Sequence, residues 1–269
     1  MTLTFKLRAV PEVPLEAENI SPDKLSGLDA KEAAKLPAML GNRRVALGDF
    51  FDVSGKANGE IRAEGDLAKV KYLGAGMTAG KLVIAGNAGP HLGSAMTGGE
   101  IEVEGNAGDW VGPEMLGGRI VVRGNAGHMV GSAQRGSRVG MMGGDIIVHG
   151  NCGNETGNTM RNGLIAIGGN CGDYAGANML AGTIVVLGQL GIRFGAGMKR
   201  GSIVAMHEAE LLPTFTYACT YRPTFLRLYL YRLRDMGLKI ADKHITGRYK
   251  RWSGDAVELN RGEALIFDG

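Results

Sequence analysis

A glycine that returns at a fixed interval constrains this chain more than any other feature. Gly65, Gly86, Gly105, Gly124, Gly150, Gly169 and Gly188 each open a similar phrase, and the steps between them are 21, 19, 19, 26, 19 and 19 residues. The period is 19, with two residues added in the first unit and seven near Gln134–Gly140. A repeat of this size marks a stacked architecture in which each unit leans on copies of itself. In each unit an apolar pair alternates with other residues: Leu82/Ile84, Ile101/Val103, Ile120/Val122, Ile146/Val148, Ile165/Ile167 and Ile184/Val186. Alternation with a period of two spells a strand with one face turned inward. A 19-residue unit is too short for a strand–helix–strand crossover, and its spacers are too rich in glycine for helix. The expected fold is mainly β: a single-stranded parallel β-helix of 19-residue coils with small mixed N-terminal and C-terminal flanking segments.

Other columns of the repeat fit stacking. Glycine also falls three, seven and thirteen places after the first in the six units from Gly86 onward, with the last displaced by the insert in one. Tight corners need positive φ or close backbone approach, and glycine tolerates both. Asn87, Asn106, Asn125, Asn151 and Asn170 share one column, where stacked side-chain amides form a structural ladder. Met77, Met96, Met115, Met141, Met160, Met179 and Met198 share another and suit an irregular interior. Outward on the strands, Glu60, Lys81, Glu100, Arg119 and Asp145 alternate in sign, which favours the correct register.

The repeat divides the chain into an N-terminal capping segment (1–58), a glycine-rich β-helix (59–205) and a C-terminal helix-and-strand segment (206–269). In the first, residues 2–10 read as a strand, 28–40 as a short helix and 43–55 as a strand. In the last, residues 222–237 read as a helix that is apolar almost all round, so it must pack on something large. Between Arg222 and Arg251 there are nine Lys/Arg and two acids, Asp235 and Asp242. On such a stretch Arg222, Arg227, Arg232, Arg248, Lys250 and Arg251 are candidate contacts for an anionic coenzyme, against the plainer reading of a solvated or self-paired face. The middle outward column (Val83, Glu102, Val121, Ile147, Ala166, Val185) is mostly apolar, so it is covered either by the terminal segments or by another protein. Val83, Val121, Ile147 and Val185 are accordingly candidate partner-interface residues, joined by Arg135 and Arg138 on the inserted loop.

Catalytic patterns are weak. Cys152 and Cys171 share a column that otherwise holds Ala88, Ala107, Ala126 and Leu190, so a small apolar core position outweighs a redox pair or soft-metal site. The five histidines fall in different columns and no metal-binding spacing exists, so neither a metal site nor a catalytic residue is expected. GAGMKRG (195–201) mimics a dinucleotide fingerprint but lacks the strand–helix–strand unit. A net charge of +3 is too small to argue for nucleic acid by itself, and no nucleic-acid partner is expected. Three cysteines, no signal-like apolar core and no apolar run of membrane-spanning length point to a cytoplasmic protein without a membrane partner.

The coils GNAGDWVG and MLGGRIVVRGNAGHMVG resemble the glycine-rich β-helix of the glutamate synthase large subunit. A fuller resemblance rests on ALGDFFDVSG (46–55), residues 74–112 and SGDAVELNRGEALIF (253–267). These are similar to the C subunits of formylmethanofuran dehydrogenase and of the bacterial formyltransferase/hydrolase complex. The resemblance implies a right-handed solenoid and a one-carbon assembly acting on a formylmethanofuran-type coenzyme and tetrahydromethanopterin. Hydrolase chemistry would belong to the amidohydrolase-like A subunit, any molybdopterin or tungstopterin to the B subunit and formyl transfer to the D subunit. The C subunit would be a non-catalytic scaffold binding no cofactor of its own. The bacterial hydrolytic type is favoured over the molybdenum or tungsten dehydrogenase. Two other readings remain: an independent enzyme built on the β-helix, and a glutamate-synthase-like spacer.

Overall fold

A computed structural model describes residues 2–269. Its centre is a sheet of 13 strands, mostly parallel, in which the repeat strands follow one another in sequence order. Lys81–Ala85, Glu100–Val103, Arg119–Val122, Asp145–Val148, Leu164–Ile167, Thr183–Val186 and Ser202–Ala205 lie side by side. The register joins Leu82, Ile101, Ile120, Ile146, Ile165, Ile184 and Ile203 into one line. A second line of parallel bridges runs from Leu67 through Ala88, Ala107, Ala126, Cys152 and Cys171 to Leu190. Corner amides also pair from unit to unit: Gly105 N–H donates to the Gly86 carbonyl and Gly124 N–H to the Gly105 carbonyl, both at 2.9 Å. The inward isoleucines, valines and methionines of these units belong to one buried cluster.

Two glycines show why the residue cannot be replaced cheaply. A Cβ at Gly124 would lie 2.4 Å from the Asn106 side-chain oxygen and 2.7 Å from the Gly105 carbonyl, closer than any real contact. Gly118 sits at φ +86°, and a Cβ there would lie 2.7 Å from the Met96 methyl. Methionine and glycine columns therefore interlock, with the thioether of one unit filling the space over a glycine of the next. Glycine is not the sole left-handed residue. Tyr72, His91, Trp110, Met129, Glu155, Tyr174 and Arg193 occupy one column with φ between 58° and 62°, Trp110 excepted at 54°.

The flanks extend the sheet at both ends. Lys56–Glu64 and Thr2–Leu7 add in parallel beside Lys81–Ala85, and Phe51–Ser54 closes that end antiparallel. At the other end Glu263–Phe267 pairs in parallel with Ser202–Ala205, followed by antiparallel Tyr249–Ser253 and Thr216–Tyr221. A four-stranded sheet of Arg43–Ala46, Pro37–Leu40, Leu15–Glu16 and Val70–Lys71 packs on the N-terminal side.

There are three α-helices among the described residues: α1 (Ala30–Ala34), α2 (Thr224–Asp235) and α3 (Asp242–Thr246). The helix expected over 28–40 is limited to α1. Asp29 and Glu32 form a capping box at its start, while Pro37 disfavours helical backbone at Leu36 and begins a strand. The strand expected over 43–55 is broken by a 3-10 turn at Leu47–Asp49. α2 begins after Pro223 and ends before Gly237, which turns the chain at φ +92°. None of these helices is long and apolar enough to cross a membrane.

Candidate functional site

The middle outward column of the repeat strands lies beneath α2. Val121, Ile147, Ala166, Val185 and Val204 form a buried cluster with Leu226, Leu230 and Leu233 of α2 and with Leu238 and Tyr249. The three α2 leucines fall at i, i+4 and i+7, the stripe that one helix face presents. Each is at most 1% exposed, and burying such a side chain contributes roughly 1.5–3 kcal/mol. This corrects the partner-interface expectation for Val121, Ile147 and Val185: the chain covers them itself. Val83 is buried as well, between Arg62 and Glu102 in the neighbouring strands.

Charged residues line both borders of that face. Along one, Lys81 bridges Glu100 at 3.2 Å and Glu102 at 3.1 Å, and Arg119 approaches Asp145 at 3.7 Å. Arg232 of α2 also donates to Asp145. Lys81, Glu100, Arg119, Asp145 and Arg232 line a trough of about 680 Å³ whose charges pair across it. Along the other border Arg123 donates to Glu102 at 2.7 Å and to His149 Nε2 at 3.1 Å. Hydrogen bonds from Arg123 and Lys81 hold the Glu102 carboxyl below its usual range. Burial, reinforced by the Arg123 charge, lowers the His149 imidazole.

The six basic candidates of the C-terminal segment do not converge. Arg232 is held by Asp145, Lys250 by Asp268 at 2.7 Å and Arg251 by Glu263 at 2.8 Å. Arg222, Arg227 and Arg248 have no acidic partner within 4.0 Å among the described residues. The set thus divides into three structural ion pairs and three arginines that no described acid holds. Arg135 and Arg138 stand exposed on the inserted loop. That loop's base is closed by Met141 N–H donating to the Gly131 carbonyl at 2.9 Å, so the seven extra residues project without breaking the stack.

The asparagine column forms its ladder by a different bond from the amide–amide one expected. Each side-chain oxygen accepts from the backbone N–H of the next unit: Asn87 from Asn106, Asn106 from Asn125, Asn125 from Asn151, Asn151 from Asn170, and Asn170 from Gln189, at 2.7–2.9 Å. A second ladder escaped the sequence reading. Asp109, His128, Asn154 and Asp173 accept in turn from the backbone of His128, Asn154, Asp173 and Ile192 at 2.7–3.0 Å. The signal was present as a column of short acceptors, which is what a corner needs to satisfy an unpaired N–H.

Cys152 and Cys171 are buried neighbours in the inner bridge line. Burial pushes the Cys171 thiol up to about 11 and the Cys152 thiol well above its ordinary value. Such thiols are protonated at neutral pH and are poor nucleophiles. Among the described residues no group of three His, Cys, Asp or Glu is arranged to hold a metal ion. A hollow of about 710 Å³ in the N-terminal segment was not anticipated; apolar residues such as Val10, Leu40 and Phe50 line it together with Arg8, Glu12, Arg43 and Asp49.

The architecture thus defines a class: a glycine-repeat protein whose side chains are used to hold units together. Residues 61–216, more than half of the chain, match the family model described as GXGXG motif. Over 86 residues the chain is 35% identical to the C subunit of the formyltransferase/hydrolase complex Fhc of Methylorubrum extorquens, a match covering 32% of each protein. Over 82 residues it is 45% identical to the C subunit of tungsten-containing formylmethanofuran dehydrogenase 2 of Methanothermobacter thermautotrophicus, covering 29% of this chain and 30% of that one. The C subunit of molybdenum-containing formylmethanofuran dehydrogenase 1 of the same organism matches at 43% over 80 residues, 29% of this chain and 20% of the relative. The chain therefore spans about a fifth to a third of the curated relatives it matches. Structural similarity reaches further. A chain in the crystal structure of the formyltransferase/hydrolase complex (FhcABCD) from Methylorubrum extorquens, in complex with methylofuran, aligns with a TM-score of 0.93 and 34% identity. That alignment covers 99% of this chain and 100% of the other. This chain belongs to the GXGXG-motif family, in the branch formed by the C subunits of formyltransferase/hydrolase complexes and formylmethanofuran dehydrogenases.

Proposed function

We propose that this chain is a non-catalytic scaffold subunit of a cytoplasmic formyl-transferring assembly of the bacterial formyltransferase/hydrolase type. Its partners are the amidohydrolase-like and formyltransferase subunits and their companion, and the assembly handles a formylmethanofuran-type coenzyme that this chain does not itself process. The full-length correspondence with a chain of the FhcABCD structure carries the reading, because it includes the flanks and not the repeat alone. Its central segment is a right-handed parallel β-helix of 19-residue coils over 59–205, a reading supported by register and ladders that repeat every 19 residues. Residues 1–58 cap one end and 206–269 form the segment at the other. The scaffold role is supported by where the polar side chains go: asparagines, aspartates and His128 into corner ladders, and Lys81, Glu102, Arg119 and Asp145 into ion pairs. The exposed loop with Arg135 and Arg138 is a contact site on this reading.

The purified chain, given a formylated furan coenzyme and a tetrahydropterin acceptor, is expected to show neither hydrolysis nor transfer, while the complex containing it shows both. Turnover by the isolated chain, lost on Cys152→Ala, would replace the scaffold with an independent enzyme. The local identity of 45% with the C subunit of a dehydrogenase favours a second reading, in which the same scaffold serves a molybdenum or tungsten enzyme. Metal analysis of the purified complex separates the two.

A further inference from the structure

The two ends of the 13-stranded sheet are finished differently. At one end Phe51–Ser54 packs against α1, and Asp52 places a charge there, bound to Arg8 at 2.8 Å. These are common ways of keeping a sheet edge from pairing further. At the other end lies Thr216–Tyr221, which pairs with Tyr249–Ser253 on one side only. No backbone hydrogen bond joins its other side to any described segment. Its sequence, TYACTY, has no charge and no proline and is rich in residues that favour strands. Thr216, Tyr217, Ala218 and Cys219 are exposed in succession, with the Tyr217 ring edge-on to Trp252 at 5.4 Å and a bulge at Ala218 in the pairing with Tyr249–Ser253. An open row of amides and carbonyls on an uncharged strand is a template for one more strand.

The surrounding charge says what that strand carries. The antiparallel pairing ends at Tyr221↔Tyr249, and one step further sets Arg222 beside Arg248. Both are exposed, and neither has an acid within 4.0 Å among the described residues. Two like charges side by side at the end of a ladder are mutually unfavourable until a carboxylate comes between them. A second copy of this chain paired symmetrically about the strand centre does not provide one. Symmetric antiparallel pairing about the strand centre would set Arg222 against Phe215 of the copy, an apolar residue with Thr214 before it.

We propose that the free edge of Thr216–Tyr221 receives an extended, acid-bearing segment of another subunit, added as the next strand with its carboxylate at Arg222 and Arg248. This rests on the subunit reading above and specifies how the chain attaches. Main-chain hydrogen bonds supply the affinity, and the paired arginines set the direction of the incoming strand.

Cys219, exposed on this strand, reports on the edge directly. The test is alkylation by N-ethylmaleimide in the free chain and in the intact complex, with hydrogen exchange of the strand amides read alongside. Cys219 should react freely in the isolated chain and at least about tenfold more slowly in the complex, since occupied edges open rarely. Ala218→Lys places a charge at the exposed bulge, and should weaken assembly by about tenfold or more while leaving the melting temperature of the free chain unchanged. The double change Arg222→Glu and Arg248→Glu should weaken assembly similarly. Equal Cys219 reactivity in the free chain and in the assembled complex would overturn this attachment and leave the subunit reading standing. Self-association through Cys219-linked dimers of the isolated chain would overturn the choice of occupant. A chain that co-purifies with no other subunit would overturn both.

Discussion

The repeat and the C-terminal segment spend their polar groups in opposite ways. In the repeat, side-chain acceptors recur at corners and each serves the N–H of the next unit, so little chemistry is left over. In the C-terminal segment, α2 seals the outward column of the strands, but Arg222, Arg227 and Arg248 find no acid among the described residues and the strand beside them stays open. Periodicity absorbs functional groups into the frame, and the arginines without an acidic partner and the open strand edge lie outside it. On the proposed scaffold reading, that is a physical reason to find attachment surfaces in the flanks and at the inserted loop that interrupts the period.

The largest expected effect concerns the seam between the two regions. Leu230→Ala removes a fully buried side chain from the cluster that includes Ile147 and Val185, and should cost about 2–5 kcal/mol in denaturant unfolding. If α2 instead lay loosely on the repeat, the loss would be negligible and the comparison would fail. Within the repeat, Gly124→Ala forces a methyl to within 2.4 Å of the Asn106 oxygen and should cost about 1–3 kcal/mol. The cysteine pair sharpens the account in alkali. Both thiols are raised in the folded protein, Cys171 from 9.0 to about 11, so the stability they contribute is complete below pH 9 and lost as pH rises toward 11. Stability should fall by up to about 1.4 kcal/mol per pH unit for each thiol in that window, and the double change Cys152→Ala and Cys171→Ala should flatten the profile. Smallest is Asn125→Ala, which removes one ladder acceptor and should cost about 0.5–1.5 kcal/mol. Measured against the same change at Asn151, it shows whether neighbouring rungs add independently.

How much of this was legible beforehand follows from the range of the interactions. The period, the inward pairs and the methionine column were readable because stacking repeats each residue's surroundings at the same spacing. The asparagine column was readable as a ladder, although its partner is the backbone of the next unit rather than the next amide. The neighbouring column of Asp109, His128, Asn154 and Asp173 was hidden by its varied residue types, which share only a short acceptor. The left-handed column of Tyr72, His91 and Trp110 was invisible because these residues do not advertise positive φ as glycine does. Ring stacking helps hold it, with Tyr72 4.7 Å from His91 and His91 5.1 Å from Trp110. At the C-terminus the apolar helix was evident, but the outward column covers only its stripe of Leu226, Leu230 and Leu233, and Phe225, Leu228 and Tyr231 stay exposed. The strand order was not: Glu263–Phe267 takes the place beside Ser202–Ala205, and the intervening Thr216–Tyr221 is sent to the edge. No local pattern encodes that choice among distant pairings.

Native mass spectrometry of the chain purified gently from its host tests the scaffold claim most directly. The account predicts a stable assembly containing amidohydrolase-like and formyltransferase subunits without a molybdopterin protein. A chain that emerges alone, with no stoichiometric partner under conditions that preserve other complexes, would contradict it.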